Sequence, residues 1–250
     1  MIILKSPEEI GKIRRAGGIV ARAIDAILEE VRPGATTARL DAVAERVITG
    51  EGAIPSFKGY RGYPASLCAS LNEQVVHGIP GRRMLLDGDV LSLDLGAVWD
   101  GYHGDAAVTV LVGTPSSPEA ERLVRATKDA LDAGIERMRA AGRLSDIGNA
   151  IQRVAEGAGF SVVREYVGHG IGRALHEDPQ VHNFGPSGRG PALKPGLVLA
   201  VEPMVNAGGW ETAVLPDGWT VVTADGSLSA HFEHTVAITE DGPEILTART

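Results

Sequence analysis

A single cysteine, Cys68, occurs among 250 residues. No internal disulfide and no cysteine-based zinc knuckle can therefore form, and the usage fits a reducing compartment. Aromatic residues make up 4% of the chain, and positive charge is in deficit, with 24 Lys and Arg against 32 Asp and Glu for a formal net charge of −8. That balance argues against a general surface for nucleic acid or anionic membrane, though not against one local basic patch. No apolar run approaches the roughly 18 residues that a membrane helix needs. The opening residues, MIILKSPEEIGKIRRAGG, lack a signal peptide's order of charge followed by an apolar core. What the chain does have is 44% hydrophobic residues, enough at this length to bury about three quarters of the unfolded surface. The expectation is a soluble, cytoplasmic, globular protein of one domain, 1–250.

Residues 7–31 place Ile10, Ile13, Ile24, Ile27, Leu28 and Val31 at helical spacing, behind Ser6 and Pro7 as cap and first position. A second helix spans 37–49 and stops at Gly50, and strands are expected to begin near Ala65, Val90 and Asp105. The order then repeats. Residues 128–160 laid over 21–53 match Ala23 with Ala130, Asp25 with Asp132, Glu29 with Glu136, Arg46 with Arg153 and Gly50 with Gly157, among nine identities without a gap. Further on, Asp94 falls on Glu202 and Asp105 on Glu233. Helices rich in Ala, Glu and Arg can align by chance, but acidic residues recurring on the strands argue for real duplication. Two similar α+β halves, about 1–112 and 113–250, would pack about a pseudo-two-fold with a site between them.

The strand around Asp94 reads Val90, Leu91, Ser92, Leu93, Asp94, Leu95, so leucines take one face and Ser92, Asp94 and Gly96 the other. If Asp100 and Gly101 form a two-residue hairpin turn, Asp94 faces Ala107 and Asp105 faces Gly96. Both carboxylates then share a face as diagonal neighbours, somewhat less than roughly 7–8 Å apart at Cβ. Glu202 lies in LVLAVEPMV, apolar on both faces, where an unpaired carboxylate is expensive. No Lys or Arg between Gly196 and Arg249 is available to pair with it locally. Glu233 sits in the alternating strand AHFEHTVAI, away from Phe232 and Val236. Four inward carboxylates need positive charge. His169, flanked by Gly168 and Gly170, would be structural alone, but in that company it reads as a ligand. Oxygen donors with one imidazole suit Mn²⁺, Fe²⁺ or Co²⁺. Two such ions sharing bridging carboxylates would hold a hydroxide nucleophile for hydrolysis.

Other catalytic motifs fail. His176-Glu177 is followed by Gln180 where a zincin helix needs a second histidine. There is no Gly-x-Ser-x-Gly elbow or Walker loop, and Cys68 lacks a nucleophile's signature.

The stretches SLCASLNEQVVHGIP (66–80), LDLGAVWDGYHGDAAVTV (93–110), SVVREYVGHGIGRALHEDPQV (161–181), LKPGLVLAVEPMVNAG (193–208) and DGWTVVTADGSLSAHFEHT (217–235) resemble the type I methionine aminopeptidases over nearly the whole chain. The resemblance implies the pita-bread fold, an α+β arrangement with a central antiparallel sheet and outer helices. It also implies a dinuclear centre of Asp94, Asp105, His169, Glu202 and Glu233, in which Asp105 and Glu233 bridge two divalent ions (Co²⁺, Mn²⁺ or Fe²⁺) and Glu202 is the general base. His176 would steady the oxyanion, and His77 would contact the substrate beside the scissile amide. Tyr60, Tyr63, Cys68 and Trp219 would line the methionine pocket. Leu175, Phe57 and Arg61 depart from residues common in the family. His103, His182, His231 and His234 match no role. Similar enzymes hold a monovalent cation near Asn72 and Ser229.

Such an enzyme removes the initiator methionine from nascent chains with a small second residue. That job implies ribosome association, with no nucleic-acid specificity, no membrane partner and a monomeric chain. Two rivals are weighed against it. A proline-directed peptidase of the same fold typically carries an additional N-terminal domain, for which this chain has no room. A binding protein on the same scaffold would have lost the ligands, all five of which are present.

Overall fold

The computed structural model describes residues 1–249. Two helices, α1 (Pro7–Leu28) and α2 (Thr37–Gly50), lead into β1 (Ile54–Pro55), β2 (Cys68–Leu71), β3 (Gln74–Val76), β4 (Val90–Trp99) and β5 (Tyr102–Leu111). Two more, α3 (Pro118–Glu136) and α4 (Leu144–Gly157), lead into β6 (Ser161–Val162), β7 (Gly168–Gly170), β8 (Glu177–Val181), β9 (Val198–Val201) and β10 (Met204–Asn206). The chain continues through β11 (Thr212–Val214), β12 (Val221–Thr223), β13 (Ser229–His231), β14 (Glu233–Thr239) and β15 (Gly242–Ile245). The bounds of α4 are those of α2 shifted by the spacing of the sequence repeat.

The expected first helix is shorter than its pattern. Ser6 caps α1 in a reciprocal capping box with Glu9, and the helix ends at Leu28, five residues ahead of Pro33, which cannot continue it. The expected strand at Ala65 begins only at Cys68, because the backbone N–H groups of Ser66 and Leu67 donate to the Asp41 carboxylate at 2.8 and 2.9 Å. The strand expected from Asp105 starts earlier, at Tyr102. There Asp100 and Gly101, with φ of 48° and 77°, form the tight turn whose twist suits a two-residue hairpin.

The strands form a nine-stranded sheet in the order β1-β4-β5-β14-β9-β7-β8, with β2 also on β4 and β15 also on β14. Its pairings are antiparallel throughout, which is the α+β arrangement expected. Leu91, Leu93 and Leu95 are fully buried in the core shared with the helices. The other face of β4 is polar, with the Ser92 and Thr109 hydroxyls 2.8 Å apart across β4 and β5. One face of the sheet is thus covered by helices and the other is left for chemistry. No helix among the described residues is long and apolar enough to cross a membrane.

Candidate metal centre

The register of the central strands places the acidic side chains. Asp94 pairs with Ala107 and Gly96 with Asp105, as the hairpin argument required. Across the next seam Ala107 pairs with Glu233, so Asp94 and Glu233 flank one small residue from either side. Ladder pairs of β14 and β9 include His234 with Val201 and Thr235 with Ala200. Glu202, one residue past Val201, falls across from Glu233 by continuing that register. His169 pairs with Ala200 from the far side. Carboxylates and imidazole therefore alternate with Ala107, Thr235 and Ala200 over the strands, and these small side chains leave room above the sheet.

Asp105, His169 and Glu233 each present a ligand atom within 4.8 Å of the others. Asp94 and Glu202 line the same cavity. The His169 Nδ1 donates to the Gly170 carbonyl at 2.9 Å. Its Nε2 lone pair is thereby turned toward the carboxylates, 3.4 Å from Glu202 Oε1, as metal-binding histidines are oriented.

Desolvation governs the electrostatics. Burial raises the Asp94 carboxyl to about 7. Burial, and then the neighbouring carboxylates, push Asp105, Glu202 and Glu233 well above the usual range. Burial lowers His169 to about 3 and His77 to about 4, so both are neutral. Asp94 Oδ1, Asp105 Oδ1 and Glu233 Oε1 are buried without a hydrogen-bond partner. Orphaned carboxylate oxygens are rare in folded proteins and call for an explanation. Four carboxylates and one imidazole lining one cavity, three of the carboxylates with an unpartnered oxygen, fit divalent cations.

The remaining expected residues line the same cavity of about 150 Å³: Tyr60, Tyr63, Cys68, His77, His176 and Trp219 sit beside the five donors. Cys68 is the β2 partner of Asp94, at the pocket floor. Tyr63 donates to the Leu67 and Gly78 carbonyls at 3.1 Å and meets Trp219 edge to face at 5.1 Å. His176 stacks on Tyr60 with ring centres 5.3 Å apart, and its Nδ1 lies 2.9 Å from the Tyr60 hydroxyl. Burial first, then Arg61, lowers its pKa. His77 holds a φ of 61°, a conformation that costs a non-glycine residue about 1–3 kcal/mol and clusters at functional sites. Phe57, Arg61 and Leu175 complete the lining, so the three departures noted in the sequence all face the pocket.

Sequence reasoning missed His231, a buried side chain whose Nε2 lies 3.8 Å from Glu202 Oε2. The signal was there, since it stands two residues before Glu233 in an alternating strand. The other three histidines without a carried-over role are held elsewhere: His103 by Ser56 at 3.0 Å, His234 by Thr247 at 2.9 Å, and His182 against the Phe184 ring. Near the suggested monovalent-cation position, Ser229 N donates to the Asn72 carbonyl at 2.8 Å. The Asn72 side chain there is engaged by Asp89 and Val90, and the Ser229 hydroxyl by Asn206.

Residues 11–240 match the sequence profile of metallopeptidase family M24. A methionine aminopeptidase of Clostridium perfringens is 57% identical over 247 residues, covering 99% of each chain. Methionine aminopeptidase 1 of Bacillus subtilis is 54% identical over the same length, again with 99% of each chain covered. The crystal structure of methionine aminopeptidase from Thermotoga maritima superposes with a TM-score of 0.98 at 46% identity, over 100% of both chains. A carboxylate-rich centre beneath an aromatic pocket is thus set in a chain of this family's fold and length. The chain belongs to metallopeptidase family M24 and, within it, to the methionine aminopeptidases.

Proposed function

We propose that the chain removes the N-terminal methionine from nascent proteins and peptides whose second residue is small, using two divalent ions held by Asp94, Asp105, His169, Glu202 and Glu233. The observation that carries this reading is the convergence of these donors, three with orphaned oxygens, at one end of a cavity lined by Tyr60, Tyr63, Cys68 and Trp219. Asp105 and Glu233, on the neighbouring strands β5 and β14, would be shared between the two ions. Divalent ions bound there would supply an activated water and polarise the scissile carbonyl.

The chain's own residues do the rest. Glu202 takes the proton from the attacking water and returns it to the leaving amine. The Tyr60 hydroxyl, 2.9 Å from Nδ1, can donate to that atom, the arrangement that leaves the His176 proton on Nε2 for the oxyanion. Neutral His77, held in its strained conformation, hydrogen-bonds the substrate beside the scissile amide. The methionine side chain, four heavy atoms, fits a space of about 150 Å³, since an engineered apolar cavity of roughly that size accepts benzene. Aromatic faces and the Cys68 sulfur suit a polarisable thioether.

The donor set favours Mn²⁺, Fe²⁺ or Co²⁺ over a thiolate-bound structural zinc. We further infer a single catalytic domain of two halves, 1–112 and 113–250, acting as a cytoplasmic monomer on chains emerging from the ribosome, without nucleic-acid specificity of its own. The deciding experiment measures methionine release from Met-Ala-Ser, Met-Lys-Ser and an X-Pro peptide, on protein stripped by chelator and reloaded with each ion. Metal-restored cleavage of Met-Ala-Ser alone is expected, and Asp105→Ala should abolish it. Cleavage of X-Pro alone, or turnover by Asp105→Ala in metal-replete buffer, would overturn the reading.

A further inference from the structure

His176 sits on an irregular loop between β7 and β8 whose one internal backbone hydrogen bond, among the described residues, runs from Gly172 N to Ala174 O at 3.2 Å. Such a segment needs external support to hold a side chain still. Support comes from beneath. Glu177 follows His176 and opens β8, so the two side chains leave the backbone on opposite sides. While His176 faces the pocket, the Glu177 carboxylate is buried against Lys5 Nζ at 2.5 Å, with the two side chains only 10% and 3% exposed. Glu177 Oε1 also accepts from Ala174 N at 3.2 Å, which ties the carboxylate to the loop itself.

Lys5 is anchored in turn. Its ammonium donates to the Ile3 carbonyl at 3.0 Å, and its backbone N–H donates to the Gly196 carbonyl at 2.7 Å. Gly196 N is bonded to Ile238 of β14, the strand that begins with Glu233. The fit is close: a Cβ on Gly172 would lie 2.5 Å from Lys5 Cε and 2.7 Å from Glu177 Oε1. A second tie runs from the same end of the chain, for Arg173 lies over the Tyr102 ring at 4.6 Å and 3.8 Å from Glu9 Oε1.

We propose that Lys5 and Glu177 are positioning residues, a buried ion pair that sets the height of His176 over the reacting carbonyl. The proposal rests on the oxyanion role given to His176 above. A buried pair is weak evidence for net stability, because desolvation offsets the Coulomb attraction, and its attested use is to specify one arrangement. Here the arrangement specified is that of a loop carrying a hydrogen-bond donor, where a misplacement of about 1 Å costs up to roughly 100-fold in rate.

The test is the double variant Lys5→Met/Glu177→Gln, which removes both charges and keeps an acceptor for Ala174 N. The melting temperature, the calorimetric affinity for Mn²⁺ and KM for Met-Ala-Ser should stay close to those of the unaltered protein, while kcat falls on the order of 10-fold or more. In a His176→Ala background, itself slower by about 100-fold or more, the same pair of substitutions should cost nothing further. Equal losses in both backgrounds, or an unchanged kcat in the first, would overturn the proposal. The ring-nitrogen NMR signals of His176 supply a readout independent of its chemistry. They should shift in the double variant, and unmoved signals also overturn the proposal. If His176→Ala alone leaves kcat intact, the oxyanion role fails, and those signals still decide the positioning. Lys5→Arg, which keeps the charge but lengthens the side chain in a tight space, is read in the same way if the double variant does not fold.

Discussion

Asp94 carries the electrostatic strain of the metal-free protein in measurable form. Its carboxyl, lifted by burial to about 7, holds a proton in the folded state that the unfolded chain has released above about pH 4. Below the unfolded value the group costs nothing, and stability is lost as pH rises toward the folded value. Asp94→Asn should therefore leave the melting temperature of chelator-treated protein unchanged at pH 4 and raise it increasingly up to pH 8. The same substitution should weaken Mn²⁺ binding in calorimetry. A variant no more stable than its parent at pH 8 would show that the buried carboxyls are not under strain. At this scale much was legible in the sequence. Alternation along β4 and the Asp100–Gly101 turn set the facing of Asp94 and Asp105, and the structure has that register. The orientation of His77 was not legible, because no local pattern announces a histidine with positive φ.

Between elements, the seam of β5 with β14 is closed by a side chain. Ladder pairing stops after Glu233 and His234, and Thr235 continues it with its hydroxyl, accepting from Asp105 N at 3.0 Å and donating to Asp105 O at 2.8 Å. Thr235→Val keeps the shape and strands both backbone groups in a fully buried place. It should cost about 1–3 kcal/mol in denaturant unfolding and weaken Mn²⁺ binding by loosening Asp105. Unaltered affinity would separate the seam from the site. The long elements were readable: α1 and α2 begin where Ser6–Pro7 and Thr37 place them, and the repeat carries the bounds of α2 onto α4. Strands of two to four residues such as β6, β7 and β10 were not, since so few residues carry no period. Ser66 and Leu67 show the other cause of error, a carboxylate 25 residues away taking the hydrogen bonds a ladder would have used.

For the molecule as a whole, ligand binding and folding are one equilibrium. Ions that bind only the folded chain, supplied at about 100 times their dissociation constant, add about 2.7 kcal/mol, and at this chain length each kcal/mol moves the melting temperature by roughly 2–4 °C. Reloading stripped protein should raise the transition by about 5–10 °C, with Asp105→Ala showing no such rise in a calorimetric scan. At this scale the sequence offers a repeated spacing, but which strands meet was not legible, because β5 and β14 lie more than a hundred residues apart and only tertiary pairing joins them.

That seam has a consequence for how the protein comes into being. Two of the five donors, Asp94 and Asp105, are synthesised long before Glu233, which joins them only when β14 pairs with β5. A chain interrupted before residue 233 lacks Glu233, so the full set of five side chains comes together only once β14 has folded back onto β5.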